Sequence, residues 1–307
     1  MRGWKKDGVK MRIKTGIGYV FLTAALFATL EPVSKLIPET VHPVSMTFLR
    51  FLIGALLLLP SAVITMRKKH MKLTVKDWVI MAGLGILNIC VSMVLLQYAV
   101  LTSSAPALIA IIFSCNSVIT IFLSALFLKE KITIKKLTAL LLCIIGILIC
   151  SYKSLGSNAG RVSVLLAAGA AVAFSLYTVL SKKLMKQIDG AVQTGFSFFL
   201  GSMVLLLVLV LYMDVNPIEY ITGSEIWILL YLGIGVTGIG YWSYFRALRK
   251  SSATTASLAF FIKPILAPFA AFFIVGAELS WEMGAALIFV VAGSYLAAYS
   301  EKRREES

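Results

Sequence analysis

The sequence predicts an all-α polytopic membrane protein, with ten transmembrane helices arranged as two inverted five-helix repeats. Three observations lead there. The 307-residue chain is 59% hydrophobic and only 14% charged, with a mean hydropathy of +0.92, against roughly 45–50% apolar and about 25% charged residues in a soluble domain. Its Lys and Arg residues fall almost entirely in alternate loops between apolar runs. Its second half repeats the first at a nearly fixed offset. Soluble globular, disordered and disulfide-scaffold classes fall on the first observation alone.

The apolar runs lie at 16–37, 44–66, 77–100, 105–128, 137–152, 162–181, 191–213, 225–245, 253–275 and 281–299. A bilayer core takes about 20 apolar residues per helix; the fifth run is short unless it extends toward Ile134. Apolar residues occupy all faces of these segments, as helices in lipid require. The roughly ten-residue alternating segments of a membrane barrel are absent from the sequence. Connections as short as that between 100 and 105 force neighbouring helices into antiparallel hairpins.

Orientation follows from the basic residues. Of 29 Lys and Arg, twenty-four lie in the N-terminal tail, in the loops around 67–76, 129–136, 182–186 and 246–250, and at 302–304; the opposite loops hold only Lys153 and Arg161. This split predicts a multi-pass protein of the cell membrane with both termini cytoplasmic. The chain divides into a basic tail (1–15), a first repeat (16–152), an external linker (153–161), a second repeat (162–299) and a short tail (300–307). A net charge of +15 suggests nucleic acid when it is concentrated on one surface. Here the charges are dispersed through loops, so they read as topology determinants that meet anionic lipid, with no nucleic-acid partner. The first apolar run is too long for a signal-peptide core and lacks a small-x-small cleavage site. Cys90, Cys115, Cys143 and Cys150 all lie within apolar runs and read as small buried hydrophobes.

The internal repeat is visible residue by residue. An offset of 148 brings Leu84-Gly85-Ile86 onto Leu232-Gly233-Ile234, Phe113 onto Phe261 and Glu130 onto Glu278. An offset of 147 brings Phe27 onto Phe174, Ser34-Lys35 onto Ser181-Lys182, Phe51 onto Phe198 and Gly54 onto Gly201. Five helices per half, an odd number, insert the two halves in opposite directions. Inverted repeats of this kind mark transporters, with the cargo site near mid-membrane between the halves.

The end of each half carries a family resemblance: Phe113…Leu128-Lys129-Glu130 in the first, and Phe260-Phe261-Ile262-Lys263-Pro264…Gly276-Ala277-Glu278 in the second, each Glu followed by an apolar run with a glycine, Gly146 and Gly293. Over about 16–299 the chain resembles the EamA-type drug/metabolite transporters. The resemblance implies secondary transport, commonly export, of small polar metabolites. It also implies a central cavity among helices 1–4 and 6–9, with helices 5 and 10 at the periphery. The first half departs from the pattern, with Asn116 where the second has Pro264.

Ionisable residues inside a span cost at least ~2.5–3.5 kcal/mol at the helix centre and mark a pathway by default. Lys263 has ten span residues before it and twelve after, too deep for its side chain to reach either surface. It must face a wet cavity, a carboxylate or cargo, or form a buried ion pair with Glu31 that holds the halves together. Pro264 and Pro268 each remove a helical hydrogen bond and can kink this span, as can Pro32 in the first. Glu31 and Lys35 share a helix face at i,i+4. Lys35, near the span end, reads as an interfacial anchor. Glu31 and Arg50 lie at matching depth on adjacent helices, and a pair between them reads either as a structural salt bridge or as a gate with a proton site. Glu31, Arg50 and Lys263 sum to +1, which points to an anionic group on the cargo.

Among uncharged polar residues in the spans, Gln97 and Asn116 are expected to line the cavity, with Tyr177 and Tyr241 as further contacts; Asn88, nine residues before Gln97, falls on the opposite helix face at 100° per residue. Gly233–Gly238 matches GxGxxG but sits inside an apolar span without the strand a dinucleotide site needs, so its glycines read as helix-packing residues. His42 and His70 fall in loops and read as solvated. No metal-ligand cluster, nucleophile elbow or phosphate loop occurs in the sequence. Neither a cofactor nor an enzymatic activity is expected. The expected protein is a secondary active exporter or exchanger of small polar metabolites such as amino acids or organic anions, acting by alternating access as a monomer or homodimer, with protons as one possible coupling ion. The alternatives are a channel or lipid scramblase, then an intramembrane enzyme.

Overall fold

In lipid every backbone N–H and C=O must find a partner inside the protein, so long apolar runs become helices. The computed structural model describes residues 16–128, 134–152, 156–184, 188–250 and 253–305. Among the described residues the runs are helical and no strand occurs. α1 is Gly16–Lys35, α2 Pro43–Lys68 and α3 Val75–Thr102. α4 is Pro106–Ser114 followed by Asn116–Leu128, α5 is Ile134–Ser151, α6 Asn158–Leu184 and α7 Gly190–Leu211. α8 runs from Ser224–Leu230 to Gly240–Lys250, α9 is Ala253–Val275 and α10 Trp281–Glu305. The basic N-terminal tail lies outside the described residues, as do Lys129, Glu130, Lys131, Lys153 and Lys186.

Among the described residues seven helices, α1–α4 and α6–α8, are long and apolar enough to cross a bilayer; shorter apolar stretches, Leu137–Ile149, Ile262–Val275 and Trp281–Gly293, lie within α5, α9 and α10. The exterior is greasy: Leu165 is 71% exposed and Phe273 80%. The interior holds the polar groups, among them Asn88, Gln97, Asn116 and Ser197. This inversion of the usual soluble pattern is what a hydrocarbon surrounding selects.

Polar side chains fix the helix ends. Thr74 and Asp77 form a reciprocal capping box at the start of α3. Asp189 caps α7 and also accepts a 2.7 Å bond from Lys69, joining the α2–α3 and α6–α7 turns. Lys35 donates to the Leu101 carbonyl at 2.7 Å, where the last turn of α3 has unpaired acceptors. His42 is not simply solvated: its Nδ1 accepts the Val44 N–H and caps α2. Burial lowers the His42 pKa below its ordinary 6.5, which keeps that nitrogen free to accept.

Among the described residues four helices are interrupted. α1 has a turn at Thr29, three residues ahead of Pro32, whose missing N–H leaves the Ala28 carbonyl without its helical partner. α4 breaks at Cys115. α3 and α8 each contain a π-helical stretch, Ile86–Met93 and Tyr231–Ile239. α9 stays helical through both Pro264 and Pro268; there the prolines free the carbonyls of Phe260 and Pro264 without ending the helix.

Close helix approaches rest on glycine. α5 and α10 pack along each other; a Cβ on Gly293 would lie 2.7 Å from the Ala139 carbonyl oxygen and 3.0 Å from Cys143 Sγ. Gly83, by contrast, has nothing within 4 Å of its virtual Cβ. Gly293→Val is therefore expected to cost about 1–3 kcal/mol of overpacking, read as a lower melting temperature in detergent, whereas Gly83→Ala leaves that temperature unchanged or raised.

Candidate functional site

The break in α1 starts a short helical segment, Leu30–Lys35, that holds Glu31 inside the bundle. Glu31 is 0% exposed, Arg50 on α2 is 2% and Lys263 on α9 is 4%. Lys263 Nζ donates to Glu31 Oε1 at 2.6 Å, while Glu31 Oε2 has no hydrogen-bond partner. The same ammonium stands 5.0 Å from the ring centroid of Phe113, a cation–π distance. Glu31 thus pairs across 232 residues of sequence with Lys263 and not with its neighbour Arg50.

Arg50 makes no salt bridge to any described residue. Its guanidinium carbon lies 4.7 Å over the Phe51 ring and its Nε is buried without a partner. Both cations border one cavity. Its volume is about 40 Å³. Since one water needs roughly 10–15 Å³, the space holds a few waters in this conformation. Its walls are mainly apolar and rich in aromatic rings, with Phe27, Phe51, Phe113, Phe174, Tyr241 and Phe260 around Arg50, Asn116 and Lys263.

Of the residues expected from sequence, the fold brings Lys263, Arg50, Asn116 and Tyr241 to this wall and places Glu31 directly behind Lys263. Gln97 and Tyr177 are buried but not on the wall. Gln97 Nε2 has no partner; Tyr177 stands beside Phe174, with ring centroids 5.9 Å apart, and its hydroxyl meets Thr194 and Ser181. Asn116 bridges the α4 break: its Nδ2 donates to the Phe113 carbonyl at 2.6 Å, and its own carbonyl accepts from Ser175 at 2.8 Å. The expected opposition of Asn88 and Gln97 assumed α-helical rotation, but Ile86–Met93 is π-helical and each turn takes more residues; both side chains point into protein.

The aromatic box was missed from sequence. Its signal was present in the Phe27/Phe174 and Phe51/Phe198 matches, which served only to establish the repeat. The π segments were missed as well. One of them is tied to α1 by a 2.7 Å bond between Thr29 Oγ1 and the Tyr231 hydroxyl. Two of the three glycines of the GxGxxG match pack helices: virtual Cβ atoms on Gly233 and Gly238 meet Ile53 and Leu57 of α2, while one on Gly235 meets only Tyr231 of its own helix.

An apolar-coated helical bundle around a buried, charged cavity is a multi-pass membrane protein. The model of the EamA-like transporter family matches this chain twice, over residues 14–152 and 161–299, and the chain belongs to that family. An uncharacterized transporter of Clostridium kluyveri is 35% identical over 302 residues, covering 96% of each chain. The Bacillus subtilis uncharacterized transporter YvbV is 26% identical over 274 residues, covering 89% of this chain and 88% of its own. A solved crystal structure shares the fold with a TM-score of 0.63 at 20% identity, over 95% of this chain and 99% of that one. Family and relatives describe a transporter and not an enzyme.

The buried pair generates a test. Lys263→Met leaves the Glu31 carboxyl buried without its partner, a loss of about 3–5 kcal/mol for a broken buried pair. The double variant Glu31→Gln/Lys263→Met removes both charges and is expected to regain most of that loss, measured as melting temperature in detergent; a double variant as unstable as the single one contradicts the pairing.

Proposed function

We propose that the chain is a secondary carrier of small polar metabolites bearing an anionic group, acting by alternating access between two inverted five-helix halves. The observation that carries the cargo assignment is Arg50: a buried guanidinium on the cavity wall, with Nε unpartnered, while the nearby carboxylate of Glu31 is bound to Lys263. A buried charge without a counter-charge is costly, and guanidinium is suited to carboxylate and phosphate groups. A cargo anion would supply what Arg50 lacks.

The inverted arrangement is supported by features that recur at the repeat offset. The π stretches of α3 and α8 occupy equivalent positions. Gly85 packs against Gly201, and their counterparts Gly233 and Gly54 pack against each other. The twofold family match has the same division. Ten crossings with both termini cytoplasmic in the cell membrane follow from the loop charges, and α5, α9 and α10 would complete the count. Glu31 is the proton-exchanging group in this reading: its protonation breaks the bond to Lys263 and frees a second cation for the cargo. The direction is export or exchange, driven by a gradient.

Purified protein in liposomes, offered a panel of radiolabelled amino acids and organic anions with and without a pH gradient, is expected to show saturable uptake and counterflow. Hydrogen bonds to charged groups contribute about 1.5–3 kcal/mol, so Arg50→Gln should raise KM for the transported anion by roughly tenfold or more. Glu31→Gln should abolish the response to the pH gradient. Non-saturating flux, or a KM indifferent to Arg50→Gln, contradicts the proposal.

A further inference from the structure

The same repeat offsets that align Phe27 with Phe174 and Gly85 with Gly233 give every cavity wall residue a counterpart in the other half. Leu30, Arg50 and Val236 are wall residues; their counterparts are Tyr177, Ser197 and Asn88. Two apolar wall positions thus map onto polar ones. Asn88 and Ser197 are each 0% exposed, and neither amide atom of Asn88 nor the Ser197 hydroxyl has a hydrogen-bond partner. Buried polar groups are ordinarily satisfied, and each exception calls for a reason.

The two equivalent helix contacts are also unequal. At α3–α7, a Cβ on Gly201 would lie 2.7 Å from the Gly85 carbonyl oxygen and from its carbonyl carbon, and one on Gly85 would overlap the Ser197 carbonyl. At α2–α8, a Cβ on Gly54 would lie 2.5 Å from the Thr237 side chain and 3.1 Å from the Gly233 carbonyl oxygen, and one on Gly233 would lie 2.7 Å from the Ile53 side chain and 3.3 Å from the Arg50 carbonyl oxygen. The α3–α7 contact is therefore made backbone on backbone, whereas the α2–α8 contact, which the cavity borders, has the side chains of Thr237 and Ile53 between the backbones.

Resting on the carrier reading above, we infer that Asn88, Ser197 and Tyr177 form the cargo-contacting wall of the opposite-facing state, reached when α3 parts from α7 and α2 closes on α8. Asn88 and Ser197, now dry and unpaired, would then meet water or cargo, beside the Tyr177 hydroxyl. The second wall is neutral: the counterparts of Glu31, Arg50 and Lys263 are Thr178, Ser197 and Cys115. An anion held by charge at one face is met at the other by hydroxyl and amide groups alone.

The test is thiol labelling of full-length protein in membranes, in a background with all four native cysteines replaced by serine. Ser197→Cys and Asn88→Cys are each treated with a charged methanethiosulfonate reagent, and Ala286→Cys, 0% exposed in the α5–α10 contact, serves as control. Both test cysteines are expected to react about tenfold faster than the control or more, as for a side chain wetted in a minor state populated at 0.1–10%. Adding Gly201→Ala, which wedges α3–α7, should speed their reaction; adding Gly54→Ala, which wedges α2–α8, should slow it. If Ser197→Cys does not insert, Asn88→Cys alone decides. Labelling no faster than the control while liposomes still show saturable counterflow overturns this inference and leaves the carrier reading intact; loss of counterflow in the unmodified chain would overturn the carrier reading itself.

Discussion

The bond between Lys263 and Glu31 joins α9 of the second half to α1 of the first, in a place where neither charge would be tolerated alone. Its partners are set by local backbone chemistry. Pro32 and the turn at Thr29 separate the end of α1 from the rest of the helix and hold the Glu31 carboxylate inside. Pro264 leaves the carbonyl of Phe260 without its helical donor, one turn from the ammonium. Phe113 presents a ring to the same cation. With Glu31 committed to Lys263, Arg50 is the charge left over, and the polarity of the whole cavity follows from that allocation.

Around this core the scaffold is built from close approaches that only glycine permits. α3 meets α7, and α2 meets α8, through glycines at equivalent positions. The π stretches lie in the two helices that make these contacts. A π turn leaves the regular i→i−4 register, so it relaxes the backbone of a helix without exposing it to lipid. That is a fitting place for it in helices that line a cavity on one side and seal a contact on the other.

Much of this was legible in the sequence because lipid imposes strict rules. Helix positions follow from apolar length, and the charged residues announce themselves against an apolar background, so Glu31, Arg50 and Lys263 could be picked out before any coordinates. Which of them pair could not be read, because the Glu31–Lys263 contact depends on α1 lying beside α9, a matter of three-dimensional packing. The 100° step used to set Asn88 against Gln97 does not hold through Ile86–Met93 for another reason: π turns are set by backbone hydrogen-bond register, and no side-chain pattern there marks one. His42 looked like a loop residue until the Val44 N–H gave its ring a function.

The narrowness of the cavity bears on how tightly any cargo can be held. Space for a few waters cannot take a metabolite, so occupancy demands work against the aromatic walls before the first favourable contact is made. If the widened form were one molecule in a hundred, apparent affinity would be about a hundredfold weaker than the intrinsic value. Weak retention of this kind suits a protein whose task is to let go, since a guest that never relaxes its host never leaves it.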